Sequence, residues 1–188
     1  KGRICVRSSD NIYNQSMLGS MIAVNGAEKA QTWADGLVKN FARPPEGGDR
    51  DQIKAAAAGQ CDIAISNTYY YGQMLTGEEA EDKAAAEKVA IFWPNHADRG
   101  THINISGAAV TKTAKNKDNA VKLMEFLVSD ESQKWYAEAN QEYPVKAGIA
   151  PSDMLKGWGE FKADSLNLSE LGKHNAEAVK IMDKAGWK

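Results

Sequence analysis

Arg3-Ile4-Cys5-Val6-Arg7-Ser8-Ser9-Asp10-Asn11, running into Ile12 to Val24, is the stretch that decides the fold. Arg3 to Arg7 reads as a short strand. Ser8, Ser9, Asp10 and Asn11 are all residue types that cap helices, because their side-chain oxygens accept the unpaired N–H groups of a first turn. Ile12, Met17, Leu18, Met21 and Ile22 then recur at helical spacing. A strand that turns through polar residues into a helix is half of a βαβ unit, so an α/β fold is predicted. Free N–H groups at such a helix start attract anions, which makes Ser8 and Ser9 candidate anion-binding residues.

A second stretch repeats the theme. Asp62-Ile63-Ala64-Ile65-Ser66 reads as a strand, and after Asn67-Thr68 come three consecutive tyrosines, Tyr69, Tyr70 and Tyr71. Strand ends are where α/β proteins place ligand-binding groups. Were this stretch extended, neighbouring side chains would point to opposite faces, and one core could not absorb all three rings. A deprotonated phenol is a hard oxygen donor, suited to a hard trivalent cation such as Fe³⁺. Against this stands the ordinary use of tyrosine in strands and at pocket rims.

Between and beyond these stretches the pattern alternates. Residues 26–40 and 49–58 read as helices, separated by the Pro- and Gly-rich loop 41–48, with Gly59 as the expected C-terminal cap. Residues 77–86 read as a charged, alanine-rich helix. Val89 to Trp93 reads as a strand stopped by Pro94, and 101–111 has strand character. Asn119 to Val128 is predicted to be an amphipathic helix whose Ala120, Val121, Leu123, Met124 and Leu127 face a core. Residues 131–139 and 168–185 read as further helices. Cys5 and Cys61 lie near the starts of two predicted strands; a disulfide and a pair of buried thiols are both compatible with that placement.

Composition narrows the function. With 23 Lys+Arg against 25 Asp+Glu the formal charge is −2, which gives no electrostatic footprint for nucleic acid. No apolar run approaches the ~20 residues of a membrane span. The chain enters a strand almost at once, as a mature or truncated product would. No Gly-x-Ser-x-Gly elbow, His-Glu-x-x-His or Walker loop is present. His96 and His102 are conceivable as a metal pair, but loop and strand histidines more often serve no ligand. A hydrolase using the Ser8-Ser9 turn, and a lobe binding phosphate or a small organic anion, are the alternatives to a metal-binding reading.

Several segments carry a resemblance: Gly2-Arg3-Ile4-Cys5-Val6-Arg7-Ser8-Ser9, Asn11-Ile12-Tyr13-Asn14-Gln15-Ser16, Ala58-Gly59-Gln60-Cys61-Asp62-Ile63-Ala64, Asn67-Thr68-Tyr69-Tyr70, Gly100 to Val110, Glu142-Tyr143-Pro144-Val145 and Lys184-Ala185-Gly186-Trp187-Lys188. In this order they resemble the ferric-iron-binding periplasmic proteins that serve ABC importers. The resemblance implies a doubly wound α/β lobe of the type II periplasmic-binding-protein kind. It implies Tyr13, Tyr69 and Tyr70 as iron tyrosinates, with Tyr71 as wall or packing. It places a synergistic anion such as carbonate near Ser8, Ser9 and Asn67. It further implies that residues 1–94 begin the C-terminal, iron-binding lobe, that 95–146 cross into the N-terminal lobe, and that 147–188 return. Most of the N-terminal lobe would be absent, and that lobe or a second copy of the chain would be a partner. An ABC transporter permease would be the other partner. The expected location is the periplasm, or the cell surface by a tether.

Overall fold

In the computed structural model, which describes residues 2–188, the founding strand is short. Lys1, the first residue of the predicted lobe segment, lies outside the described residues. Strand β1 (Ile4–Cys5) pairs in parallel with β2 (Ile63–Ala64), with Ile4 opposite Ile63 and Cys5 opposite Ala64. On its other side, Ile4 forms a parallel bridge to Phe41. The cysteines are bridged: Cys5 and Cys61 form a disulfide with a Cα–Cα distance of 5.9 Å. It closes a loop of 56 residues across the β1–β2 edge, and its main effect is to restrict the unfolded chain.

Helix α1 (Ile12–Asn25) starts where the capping residues predict. Asn11 Oδ1 accepts the N–H groups of Tyr13 (3.1 Å) and Asn14 (3.2 Å). Gly26, at φ +82°, ends it in a conformation that disfavours other residues, and α2 (Ala27–Val38) begins directly after. The C-terminal helix α9 (Ser169–Ala185) packs across both. A β-carbon on Gly19 would stand 3.3 Å from the Leu171 carbonyl, so this glycine lets α1 and α9 approach closely. Leu18, Ile22, Ala34, Leu37, Met182 and Trp187 fill the core between these helices and β1. Trp187 also donates its indole N–H to the Arg7 carbonyl (2.9 Å), tying the end of the chain to the end of β1.

A second cluster joins α3 (Asp49–Ala57), α4 (Thr68–Thr76) and α5 (Ala80–Ala86) through Ile53, Met74 and Ala86. The tyrosine triplet does not continue β2; it occupies the first turn of α4. Successive helical residues are separated by about 100° rather than 180°, so Tyr70 and Tyr71 pack on this cluster while Tyr69 turns toward α1. The strand predicted over 89–94 is also not formed, and 101–111 contributes only a bridge from Thr101 to Ala163. No strand among the described residues offers these segments a ladder, and an isolated strand has no partner for its backbone groups.

Contacts divide the chain into two units. One runs to Asn104 and resumes at Phe161–Lys188; the other is Ile105–Glu160. The second unit contains α6 (Lys117–Leu127), α7 (Asp130–Ala139) and α8 (Asp153–Gly157). Ser129 and Ser152 cap α7 and α8. Gln133 links them to their surroundings by donating to Leu127 O (2.9 Å) and accepting from Val145 N–H (2.8 Å). The helix at 117–127 forms as predicted, but its apolar positions do not face a core. None of them is buried, and Leu123 is 58 % exposed. Within this unit the two other helices, α7 and α8, do not bury the apolar face of α6.

Leu18 is fully buried at the centre of the α1–α9 core. Leu18→Ala is expected to lower unfolding stability by about 2–5 kcal/mol, read as an earlier urea midpoint with an unchanged slope.

Candidate metal centre

The two polar turns after β1 and β2 bring their following helices to one place. Tyr13 lies in the first turn of α1 and Tyr69 in the first turn of α4, and their phenol oxygens are 3.0 Å apart. The Tyr70 ring lies against that of Tyr69, with centroids 4.2 Å apart. Three phenols from two helices therefore stand together, each half-buried. Tyr71 stands apart, donating its hydroxyl to the Val89 carbonyl (3.2 Å).

Charged residues frame this cluster. Asp49, at the start of α3, is 3 % exposed. Its Oδ1 accepts from the Arg7 guanidinium (2.8 Å), and its Oδ2 accepts the Asn67 backbone N–H (2.7 Å). Arg7 lies over the Tyr13 ring at 5.9 Å, and Arg50 over the Tyr70 ring at 5.4 Å. Burial opposes the charge on Arg7, but Asp49 and Tyr70 outweigh it and raise its pKa.

Tyr13 and Tyr69 are held protonated. For Tyr13, the hydrogen bond with Tyr69 favours ionisation, but the bond with Tyr70, burial, and the negative charges of Tyr70 and Asp49 together raise its pKa. Tyr69 is raised strongly, first by burial and then by its bonds to Tyr13 and Tyr70. A phenolate here is costly without a compensating cation. Among the described residues, no group of three or more His, Cys, Asp or Glu is placed to hold a metal ion.

The predicted anion residues are distributed as follows. The Ser8 hydroxyl donates to Asp10. The Ser8 carbonyl accepts from Asn14 (3.0 Å), and the Ser9 carbonyl from Gln15 (2.9 Å). Asn11 already accepts two N–H groups of the α1 start. Asn67 occupies the N-cap position of α4 without making the usual side-chain cap. Its Oδ1 instead accepts from Asn104 (3.2 Å), while its buried Nδ2 has no hydrogen-bond partner. His102 lies within 3.3 Å of the Ser16 hydroxyl, and His96 lies in an exposed turn.

Sequence reasoning missed Arg7, Asp49, Ser16 and Asn104, and considered His102 only as half of a metal pair with His96. Arg7 was legible only as a strand residue and Asp49 only as a helix start. Their pairing depends on how α3 docks against β1, which no local pattern encodes. Arg99 forms an ion pair with Asp164 (2.7 Å) and donates to the Ser20 hydroxyl (2.8 Å), fastening the bridge at Thr101 and Ala163 to α1.

The fold and this site define the class: an α/β solute-binding lobe with a polar, phenol-lined wall at the C-terminal ends of its strands. The chain belongs to the bacterial extracellular solute-binding protein family, whose profile matches residues 10–163. It is 48 % identical over 188 residues to iron uptake protein A1 of Synechocystis sp., covering all of this chain and 52 % of that protein. It is 26 % identical over 188 residues to the major ferric iron-binding protein of Neisseria meningitidis, covering 54 % of that protein. Among solved structures, a Trichodesmium protein (IdiA, FutA) in complex with iron and citrate superposes with a TM-score of 0.96 at 53 % identity. The ferric binding protein from Campylobacter jejuni superposes at 0.97 and 41 % identity. Each comparison covers the whole of this chain and 60 % of the solved one. The chain spans about half the length of the curated relatives it matches. The resemblance drawn from the motifs therefore holds, and so does the fold class, the doubly wound lobe of type II periplasmic binding proteins.

His102 supplies a pH test of the frame. Burial, and then the charge of Arg99, push its pKa from the usual 6.5 down to about 4, against the pull of Asp164 and Asn104. The unfolded chain therefore binds a proton between pH 6.5 and 4 that the folded chain refuses. Stability is expected to fall as pH drops through this window, by up to about 3 kcal/mol from this group. Urea unfolding across the window should show a shallower fall for His102→Gln than for the native chain.

Proposed function

We propose that this chain is the iron-ligating part of a periplasmic or cell-surface-tethered substrate-binding protein. It captures Fe³⁺ through the phenolates of Tyr13, Tyr69 and Tyr70 for delivery to the permease of an ABC importer. The observation that carries this reading is the convergence of the three phenols, with Tyr13 and Tyr69 in direct hydrogen-bond contact. The names of the iron-uptake and ferric-binding relatives point the same way. The role is capture, not catalysis.

The chemistry is that of proton exchange for metal. A neutral phenol is a poor ligand, and Tyr13 and Tyr69 resist ionisation in the metal-free chain. A trivalent cation reverses that balance by stabilising phenolate directly, as bound cations do for water and thiols. Three phenolates neutralise Fe³⁺ formally, and the resulting electroneutral site tolerates partial burial. Arg7 remains charged beside them and leaves room for an anion such as carbonate. Ser8, Ser9 and the unpaired Asn67 Nδ2 are its proposed contacts.

Residues 1–94 form the first part of the iron-binding lobe in this reading, 95–146 an excursion that packs on another lobe, and 147–188 the return. That other lobe, from an N-terminal segment or a second copy of the chain, completes the metal's shell. The uncovered apolar positions of α6 support an excursion built to pack elsewhere.

A visible-absorbance titration with ferric nitrilotriacetate is expected to give a coloured phenolate complex. Tyr69→Phe and Tyr70→Phe should each shift the band and weaken binding at least about tenfold, the loss of one charge-bearing ligand. Affinity should fall as pH is lowered. Native colour and affinity in both variants would remove the tyrosines from the site.

A further inference from the structure

The Asn67 amide sits among fixed partners, yet only one of its ends is paired. Its backbone N–H is held by the buried Asp49 carboxylate (2.7 Å), which anchors the residue at the head of α4. Its Oδ1 accepts from Asn104 Nδ2 (3.2 Å), and its own Nδ2 is buried without a partner. Which end faces Asn104 decides whether Asn67 offers a ligand two N–H donors or a carbonyl acceptor. Nothing in Asn67 itself makes that choice, because the two ends of an amide have nearly the same shape.

The choice is made further along. Asn104 Oδ1 lies 2.9 Å from the Ser16 hydroxyl, and Ser16 Oγ lies 3.3 Å from His102 Nε2. The Ser16 hydroxyl has one hydrogen and three neighbours, the third being the Tyr13 carbonyl at 3.0 Å. When that hydrogen is given to Asn104, the His102 contact forms only if Nε2 carries a hydrogen and donates. Asn104 then turns its carbonyl toward Ser16 and its NH₂ toward Asn67, as found. With the other imidazole tautomer, Ser16 would donate to Nε2. Asn104 would reverse to supply a donor, and Asn67 would reverse with it, presenting a carbonyl.

We propose that His102, Ser16 and Asn104 form a hydrogen-bond relay that sets the polarity of the Asn67 amide and so selects an oxyanion as the companion of the metal. The three are positioning residues that act through Asn67. Burial keeps His102 neutral at ordinary pH, with a pKa near 4, so the ring has a definite tautomer to impose. Ser16 lies one turn beyond Tyr13 on α1, and Asn67 lies two residues before Tyr69. The relay therefore runs between the two helices that carry the phenols. This inference rests on the metal-binding reading only for the identity of the companion. The relay itself is a property of the metal-free chain.

The test has two parts, both on the full chain. In the metal-free protein, ¹⁵N NMR of the imidazole nitrogens of His102 is expected to show hydrogen on Nε2. Hydrogen on Nδ1 with a bare Nε2 would overturn the relay. Phosphate is then titrated into native protein, Asn104→Leu, Asn67→Leu and the double variant, following the side-chain amide and nearby backbone resonances. Asn104→Leu and Asn67→Leu should each weaken phosphate at least about fivefold, and the double variant should be no weaker than Asn67→Leu alone. Additive losses, or unchanged phosphate affinity in Asn104→Leu, would show that Asn104 does not act through Asn67. Ferric colour without phosphate is recorded on the same samples. Its absence in native protein would count against the metal reading alone, since neither NMR readout requires iron.

Discussion

A buried carboxylate organises the site. Asp49 accepts the Arg7 guanidinium with one oxygen and the Asn67 backbone N–H with the other. Arg7 lies two residues beyond β1, Asn67 opens α4, and Asp49 itself begins α3. One side chain thus pins together the three chain segments that place Tyr13, Tyr69 and Tyr70. Removing a partner from such a buried pair typically costs about 3–5 kcal/mol, because the remaining charge is stranded. Trp187 fixes the same Arg7 residue from the other side, through the Arg7 carbonyl. The phenols converge because the frame beneath them is over-determined.

This frame explains how a lobe with a two-stranded sheet holds a polar site. The disulfide locks β1 to the turn before β2. Each strand then releases its chain through polar residues into a helix whose first turn carries a tyrosine. Side chains on the first turn of a helix are positioned by its start, and both starts are held by side chains: Asn11 caps α1, and Asp49 anchors the backbone of Asn67 at the head of α4. The phenols are therefore pre-placed. What Tyr13 and Tyr69 lack before a cation arrives is charge, which burial and their hydrogen bonds with Tyr70 withhold.

The strand–turn–helix at Arg3 to Val24 was legible from the sequence because its signals are local: capping residues and helical spacing. The helices at 27–38, 49–57 and 169–185 were legible for the same reason. The chemistry of the tyrosine triplet is legible in the sequence, but its backbone state is not. Aromatic residues have high strand propensity, yet the Asp49–Asn67 contact turns the chain into a helix at that point. Residues 89–94 and 101–111 have strand composition but no neighbouring strand, and ladders are made by neighbours. The apolar stripe of α6 was correctly periodic; periodicity reveals an apolar face and not what covers it. Within the site, the phenols were readable as chemistry. Arg7, Asp49 and the Ser16–His102–Asn104 chain were not, since each bond joins residues dozens of positions apart.

The central claim is that phenolate replaces phenol when iron binds, so the most direct measurement counts protons. Ferric nitrilotriacetate is added to weakly buffered protein at neutral pH, and the release is followed by pH-stat, corrected for the chelate. About three protons per iron are expected from the native chain, and about two from Tyr13→Phe. No release above the chelate blank, or the same count in both proteins, would contradict the account.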